Sequence, residues 1–423
     1  MGEIIKGGSV ALILKVVAAG CAFLLNIVIA RQLGVEQAGY YFLSLSAITL
    51  LATLGLLGFD NALVRFISSY NEKGNEHAIA QVYTLALSRV IPALLVIVSI
   101  AIYFVEDIAL SVFSKPELAD NLCLMLIASI PLSICLLHGF AFQGKKMVAM
   151  SVSSQSLLVP LGLLLVLFFF PSVSAEGLAY RYLAISCLVA VFVTLYWHRT
   201  SSPTTARPTV DVKALIVPTL PSLFVIVFVG QSLQWGSQLL VGAIASAQDV
   251  AIFASAQRTA MLTSFILIAV NAIAAPKFAA SYEKGDMAML RQTAILSGRL
   301  MTIVAVPALC VMWFGAEFIM SWFGDDFREG ALVLRILAVG QFINVITGSV
   351  GYLLQMTGNE RFLRNNLMFA FIFMVIGLPL AIPLFGVVGA ATVTSISVGL
   401  QNLLSVFFVN RQLGFNTLRI FSR

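Results

Sequence analysis

The stretch RFISSYNEKG, from Arg65 to Gly74, closes a long apolar run, and a near copy, KFAASYEKG, closes another run from Lys277 to Gly285. Both copies place a cation, an aromatic residue and a Lys-Gly turn where the hydrophobic residues stop. Their offset of about 211 residues is half of the chain, so the sequence predicts a duplication. Other positions at this offset also match in chemistry: Asn26 with Gln238, Phe42 with Phe253, Asp60 with Asn271, Lys73 with Lys284, and FQGKK with QMTGNE.

The composition is that of an integral membrane protein. The chain has 423 residues, of which 60% are hydrophobic and 10% are charged, and its mean hydropathy is +0.99. Soluble domains carry about 25% charged residues. Apolar stretches of about 20 residues, the length that a helix needs to cross a bilayer, recur along the whole chain. This pattern leaves no room for a large domain outside the membrane.

The spacing of the apolar stretches predicts an all-α membrane protein with twelve spans. We expect an N-terminal six-helix lobe over residues 1–200, a cytoplasmic linker over 201–213 that is rich in Ser, Thr and Pro, and a C-terminal six-helix lobe over 214–423. Because each half begins on the same side, the two bundles form a parallel repeat, a plan typical of transporters with a central cavity.

The distribution of Lys and Arg predicts the orientation. Of the 25 cations, fourteen fall in segments on the side of the termini and five on the other side. The positive-inside rule therefore places both termini in the cytoplasm. The net charge of +6 is explained by this asymmetry and does not indicate a nucleic-acid partner.

The remaining six cations lie inside apolar runs, where a charge costs a few kcal/mol and usually faces a cavity. Only one acid, Asp60, lies inside such a run. Arg65 and Lys277 lie near span ends, where long side chains reach the interface, so we expect them to be anchors. A salt bridge between Asp60 and Arg65, five residues apart, is left open. The six cations are Lys15, Arg65, Arg89, Arg258, Lys277 and Arg299.

Arg89, Arg258 and Arg299 lie too deep to reach the interface easily. A guanidinium presents forked donors that match phosphate oxygens and keeps its charge at physiological pH. With Lys15, these residues predict a cationic cavity for an anionic, phosphate-bearing solute. The alternative is that the buried arginines tie neighbouring helices together through backbone carbonyls or Asp60.

The segment GQSLQWGSQ, from Gly230, gathers amides and hydroxyls where lipid-facing residues are expected. Gln234 and Trp235 suit a sugar, which offers hydroxyls for hydrogen bonds and a ring face for the indole. Polar contacts between helices explain the same segment equally well. We assign structural or gating roles to Asn26, Asp60, Arg65 and Lys277.

The sequence predicts neither an enzyme nor a cofactor site. The five cysteines and three histidines are scattered without metal or redox spacing, and no nucleotide-binding loop or catalytic triad is found. A membrane polymerase or ligase would need a large loop outside the membrane, and the polar segments are short.

The stretch from Asn26 to Ser68 resembles the start of Wzx-type polysaccharide flippases of the multidrug/oligosaccharidyl-lipid/polysaccharide exporter superfamily. The resemblance is carried by ARQLG, GYYF, GLLGFDNALVRF and, later, FQGKK. It implies movement of undecaprenyl-pyrophosphate-linked oligosaccharides from the cytoplasmic to the periplasmic leaflet of a bacterial inner membrane, by alternating access.

The resemblance also implies a place in polysaccharide biosynthesis, such as lipopolysaccharide O-antigen assembly, beside a polymerase and other assembly proteins. An ion-coupled multidrug or metabolite antiporter of the same superfamily is the alternative. That alternative predicts several acids within the spans, and only Asp60 qualifies.

Overall fold

Two helices of the computed structural model are far too long to cross a membrane once. The first, Gly2–Gly55, and the last, Glu360–Leu413, each have 54 residues. At 1.5 Å per residue each would measure about 80 Å, against a hydrocarbon core of about 30 Å. Non-helical backbone at Gly34 (φ 74°) and Gly386 (φ 57°) breaks each into two segments. Each of these helices therefore supplies two crossings.

The structure describes residues 2–201 and 210–418, and within these ranges it contains helices and no strand. In the described part of the chain, ten helical stretches are long and apolar enough to span a membrane, and the breaks at Gly34 and Gly386 raise the number of crossings there to about twelve. The predicted all-α fold is confirmed. The α-helices are α1 (Gly2–Gly55), α2 (Phe59–Glu72), α3 (Glu76–Tyr103), α4 (Val105–Asp107), α5 (Leu118–Gly144), α6 (Val148–Val152), α7 (Leu158–Phe169), α8 (Ala175–Thr200), α9 (Val210–Ile216), α10 (Leu220–Ile244), α11 (Ala247–Met261), α12 (Phe265–Glu283), α13 (Met287–Phe314), α14 (Ala316–Ser321), α15 (Ala331–Ile346), α16 (Val350–Met356) and α17 (Glu360–Leu413).

The chain divides into two compact units, unit 1 (Met1–Gln231) and unit 2 (Ser232–Arg423). This division falls inside α10, later in the chain than the linker that the sequence indicates. Most of that linker, residues 202–209, lies outside the described residues. The lobe boundaries at 200 and 214 therefore stay a prediction.

The two copies of the opening motif fold into the same turn, one in each unit. Gly74 and Gly285 adopt positive φ angles of 64° and 71°, which glycine reaches without steric cost. The backbone N–H of the following residue donates to the carbonyl of Tyr70 (3.0 Å) in unit 1 and of Ser281 (2.9 Å) in unit 2. The backbone equivalence runs at an offset of 211 residues throughout this turn.

The helix after each turn begins with the same kind of cap. The Asn75 side chain accepts from the N–H of Ala78 (3.0 Å), and the Asp286 side chain accepts from the N–H of Met289 (2.8 Å). Short polar side chains at this position satisfy a backbone donor that the first helical turn leaves open. The duplication predicted from sequence thus extends to individual hydrogen bonds.

A second turn repeats in the same way. The N–H of Met147 donates to the Phe142 carbonyl (2.9 Å), and the N–H of Asn359 donates to the Leu354 carbonyl (2.8 Å). Lys146 and Gly358 take positive φ angles of 60° and 73°. The equivalence here has an offset of 212 residues and places Phe142 opposite Leu354. Aligning FQGKK with QMTGNE at their first residues would instead place Phe142 opposite Gln355, one residue later.

Small residues allow close helix packing within each unit. In unit 1, a Cβ on Gly144 of α5 would lie 2.7 Å from the Cβ of Ile67 on α2. In unit 2, a Cβ on Gly340 of α15 would lie 2.8 Å from the Cα of Ser395 on α17. Glycine at such crossings lets the backbones approach, as is usual between membrane helices.

Candidate substrate-binding site

Unit 2 brings together two residues that the sequence singled out separately. The guanidinium carbon of Arg258, on α11, lies 5.8 Å from the centre of the Trp235 ring, on α10. A guanidinium within about 6 Å of an indole face is attracted by the ring's negative potential. This pair is the centre of the candidate site.

Local sequence signals set the position of α11, which carries Arg258. Ser246 and Asp249 form a capping box, in which each side chain accepts from the other residue's backbone N–H at 3.1 Å. This box fixes the start of the helix. Arg258 lies in the last turn, where a cation is also favoured by the negative end of the helix dipole. The dipole thus offers a structural role beside the binding role.

Hydrogen bonds hold α10 and α11 in register around the pair. The Nε2 of Gln257, a buried residue, donates to the backbone carbonyl of Gln234 (2.8 Å) and to the Oγ of Ser237 (3.3 Å). Gln234 therefore contributes its carbonyl to the contact, while its own side chain is exposed. Polar contacts between the two helices thus flank Trp235 in the chain, at Gln234 and Ser237.

A polar triad follows directly after α11. The helix breaks at a short 3₁₀ segment, Leu262–Ser264. At 1.5 Å per residue, Ser264 lies about 9 Å further along the helix axis than Arg258. The Ser264 Oγ donates to the Gln341 Oε1 (2.6 Å), and the Asn344 Nδ2 donates to the same oxygen (3.3 Å). All three residues are half-buried. The triad was not among the residues predicted from the sequence, although an amide pair spaced by three residues in an apolar run, Gln341 and Asn344, is a signal for it.

Arg89 and Arg299 lie at similar depths on corresponding helices of the two units, although the offset of 211 residues pairs Arg89 with Leu300. Arg89 lies about 20 Å along α3 from Glu76, and Arg299 lies about 18 Å along α13 from Met287. Both are exposed, and each shares its helix face with exposed apolar residues, including Ile100 and Ile303. Their cavity-facing role stays a prediction.

The other sequence candidates have local surroundings. Lys15 is half-buried on α1, and the Asn26 Nδ2 donates to the Ala22 carbonyl one turn earlier (2.7 Å). Arg65 and Lys277 are exposed, which suits the predicted anchors.

Asp60 is buried, with 4% of its surface exposed, and its Oδ1 accepts from the N–H of Asn61 (2.8 Å). Among the described ion pairs, none joins Asp60 to Arg65. The salt bridge that the sequence left open is therefore not formed.

Unit 1 contains an ion pair that the sequence did not indicate. The Lys145 Nζ lies 3.0 Å from the Glu76 Oε2 and 5.7 Å from the centre of the Trp197 ring, and its side chain is 8% exposed. The neighbouring Lys146 pairs with Glu72, also at 3.0 Å, but both side chains are more than 60% exposed. The lysines of FQGKK thus fasten the turn after α5 to the turn between α2 and α3.

Aromatic residues continue this contact into the core of unit 1. The Nδ1 of His138 lies 2.8 Å from the Ile134 carbonyl, which can only accept, so this nitrogen carries the proton. The Nε2 then accepts from the Tyr83 hydroxyl (2.9 Å). The Tyr83 ring also contacts His198, with centroids 6.4 Å apart. Two histidines that are scattered in sequence therefore meet at one tyrosine.

Removing the Lys145 charge is expected to destabilise the protein more than removing the Lys146 charge. Lys145→Met removes the charged contact with Glu76, whose side chain is 42% exposed, and the contact of the ammonium with the Trp197 ring, at a cost of about 2 kcal/mol. Lys146→Met, the matched control, breaks an exposed pair worth about 0.5 kcal/mol or less. Thermal unfolding of the purified protein should show a fall in Tm of about 2 °C for the first variant and about 0.5 °C or less for the second, because a chain of this length has an unfolding entropy of about 0.9 kcal/mol/K. Equal shifts would show that burial of the Lys145 side chain contributes nothing to the stability.

A profile of the polysaccharide biosynthesis protein family matches residues 4–281, two thirds of the chain. The chain belongs to this family. The polysaccharide biosynthesis family assignment confirms the resemblance that the ARQLG, GYYF and FQGKK motifs indicated. A profile of the MatE family matches residues 221–384 in addition.

Known proteins similar to this family member include flippases and multidrug transporters. The probable low-salt glycan biosynthesis flippase Agl15 of Haloferax volcanii is 22% identical over 402 residues, which cover 94% of this chain and 82% of the relative. An inward-facing multidrug resistance MATE family transporter of the MOP superfamily has a TM-score of 0.77 at 14% identity, covering 97% of this chain and 100% of its own. The lipid II flippase MurJ, in an inward closed conformation, has a TM-score of 0.73 at 13% identity, covering 94% and 87%. At these identities the two structures establish the shared fold.

Proposed function

We propose that this protein is a flippase that translocates undecaprenyl-pyrophosphate-linked oligosaccharide units from the cytoplasmic to the periplasmic leaflet. The observation that carries the proposal is the stacking of Arg258 on Trp235 in a chain of the polysaccharide biosynthesis family. The forked guanidinium matches pyrophosphate oxygens, and the indole face matches a sugar ring. The relative Agl15, named as a probable glycan biosynthesis flippase, agrees with a lipid-linked glycan as substrate.

Further residues complete the proposed substrate path. Arg89, Arg299 and Lys15 add cations for the pyrophosphate, and the Ser264 triad adds amide and hydroxyl groups for sugar hydroxyls. Asn26, Asp60, Arg65 and Lys277 take structural or gating roles. Alternating access between lobes 1–200 and 214–423, joined by a linker at 201–213, moves the headgroup across the membrane.

The proposed cellular setting follows from the same function. The protein lies in a bacterial inner membrane with both termini in the cytoplasm, as the fourteen-to-five distribution of cations indicates. Its product is consumed on the far side, so O-antigen or related lipopolysaccharide assembly, with a polymerase beside it, is the proposed context.

Reconstitution tests the proposal directly. Purified protein in proteoliposomes is expected to expose a lipid-linked oligosaccharide to a lectin or glycosidase added outside, whereas protein-free vesicles do not. Arg89→Ala and Arg299→Ala should slow this exposure while leaving protein yield and insertion unchanged. Wild-type protein that inserts normally yet moves no lipid-linked glycan would contradict the proposal.

One observation favours an ion-coupled multidrug or metabolite antiporter as the second candidate. Asp60 is a carboxylate at 4% exposure in an otherwise cationic set, and buried acids in membrane helices commonly carry coupling ions. In that case Asp60→Asn would abolish efflux of a cationic dye from vesicles under an ion gradient. Dye efflux by the wild type, lost in Asp60→Asn, together with no glycan movement, would select this alternative.

A further inference from the structure

A groove of about 450 Å³ runs along unit 2 between α15 and the second half of α17. Its walls include Trp313 from the end of α13, Ile336 and Ile343 from α15, and Ile396 and Leu403 from α17. Trp313, Ile396 and Leu403 are each between 44% and 48% exposed. The proposed substrate site uses none of these side chains.

The groove presents hydrocarbon even where its residues are polar. On the α17 wall, the Thr392 Oγ1 donates to the Val388 carbonyl (2.8 Å) and the Ser395 Oγ donates to the Ile336 carbonyl (2.9 Å). Each hydroxyl is thereby turned to backbone. The surface that remains suits an alkyl chain and offers little to a sugar or a nucleotide.

Glycine keeps the groove open. Gly399 faces Ile343, and a Cβ built on Gly399 would lie 3.6 Å from that side chain, an ordinary contact distance. A larger side chain at this position would extend into the space that the glycine leaves. Gly399 is therefore the position at which the groove can be filled without forcing the two helices apart.

One end of the groove carries a positive charge. The Arg335 Nε donates to the Trp313 carbonyl (2.9 Å), which holds the guanidinium beside the groove. A terminal nitrogen of Arg335 also lies 3.4 Å from the Glu317 carboxylate, but Glu317 is 73% exposed. Trp and Arg are typical of the membrane–water interface. This end of unit 2 lies opposite the Gly285 turn, at the far end of α13.

The length of the groove fits one leaflet. Its lining on α17 runs from Thr392 to Leu403, which is about 16 Å at 1.5 Å per residue. Half of a hydrocarbon core of about 30 Å is about 15 Å. A chain that begins at the Arg335 end therefore reaches about the middle of the membrane.

We propose that the groove binds one acyl chain of an anionic membrane phospholipid, whose phosphate contacts Arg335. The charge at one end, the apolar walls and the one-leaflet length together select this occupant. A polyprenyl carrier chain of eleven isoprene units is much longer than the groove. The bound phospholipid would be a fixed part of unit 2, separate from the transported substrate.

Photo-crosslinking of the full-length protein tests this site. The protein is reconstituted in phosphatidylcholine vesicles that contain a minor fraction of phosphatidylglycerol with a diazirine in its acyl chain. Cross-links are expected to concentrate on the groove segments of α15 and α17. Arg335→Ala should reduce their yield about fivefold, because a cation at the membrane surface contributes that much to binding. Gly399→Leu should remove them. Arg328→Ala, at the same end of unit 2, should not change them, because the recorded contact of Arg328 is with Asp325 (3.0 Å) and not with a residue of the groove.

Two results would overturn the proposal. One is a cross-linking pattern that is spread evenly over the exposed helix faces. This result is obtained with the wild-type protein, so it does not depend on the folding of any variant. The other is competition: a polyprenyl phosphate that displaces the probe at lower concentration than unlabelled phosphatidylglycerol would assign the groove to the carrier lipid. Displacement by phosphatidylglycerol at the lower concentration supports the phospholipid site.

Discussion

Replacing Arg258 by alanine is expected to lower the rate of lipid-linked oligosaccharide translocation about a hundredfold. A bidentate, charge-assisted contact with pyrophosphate is worth about 3 kcal/mol, and each 1.4 kcal/mol corresponds to a factor of ten. Arg258→Lys keeps the positive charge but loses the fork and the stacking on Trp235. This variant should lose about tenfold. The measurement is the initial rate of glycan exposure in proteoliposomes at low substrate concentration.

The lysine variant separates binding from helix stability at this position. Any cation in the last turn of α11 satisfies the helix dipole, so Arg258→Lys should lower the Tm less than Arg258→Ala does. Arg328→Ala removes an exposed arginine of unit 2 and should leave both rate and Tm unchanged. If Arg258→Ala translocates at the wild-type rate, the proposed contact of Arg258 with pyrophosphate is wrong and Arg258 stabilises the helix alone.

Replacing Gly58 by alanine is expected to lower the stability by about 3 kcal/mol. Gly58 precedes α2 with a φ of 84°, a conformation that costs other residues about 1–2 kcal/mol. A Cβ at this position would also lie 2.7 Å from the Leu220 carbonyl oxygen and 3.0 Å from the Phe224 nitrogen. Both neighbours are backbone atoms, so the start of α10 must move to admit the methyl group.

Gly74→Ala is the matched control for this prediction. Its φ of 64° carries a similar backbone cost, but a Cβ there meets no atom within 4 Å. Thermal unfolding in detergent should therefore show a fall in Tm of about 1–2 °C for Gly74→Ala and about 3 °C for Gly58→Ala. Similar shifts for both variants would mean that α10 yields to the methyl group without cost.

The backbone plan of this protein could be predicted from its sequence because the signals are local. Apolar runs of membrane length set the number of crossings, and the repeated Lys-Gly turn sets the repeat. The turns at Gly74 and Gly285 illustrate this local encoding. In each turn a glycine with positive φ and the helix-capping residue that follows it are adjacent in the sequence. The breaks at Gly34 and Gly386 likewise coincide with glycine.

The direction of side chains could not be predicted in the same way. Counting residues gives the depth of Arg89 and Arg299, but it does not give the rotation of a helix about its axis. In a membrane both the lipid-facing and the packed sides of a helix are apolar, so periodicity does not mark the buried side. That Arg89 shares an exposed face of α3 with Ile100 is seen only in the three-dimensional structure.

Contacts between helices also could not be predicted from the sequence. Arg258 and Trp235 were each identified by residue type, yet their pairing depends on the register of α10 against α11, which the buried Gln257 amide fixes. Lys145 and Glu76 are separated by 69 residues and meet through the packing of α3 on α5.

The ion pairs of FQGKK have a consequence for local motion. The backbone turns repeat in both units, but the residues of unit 2 that correspond to Lys145 and Lys146 are Thr357 and Gly358, which carry no charge. The duplicated turns of the two units therefore have the same backbone shape but differ in the free energy of local opening. Amide hydrogens around Gly285 should therefore exchange with solvent faster than those around Gly74. The duplicated turn would then open rarely in unit 1 and more often in unit 2.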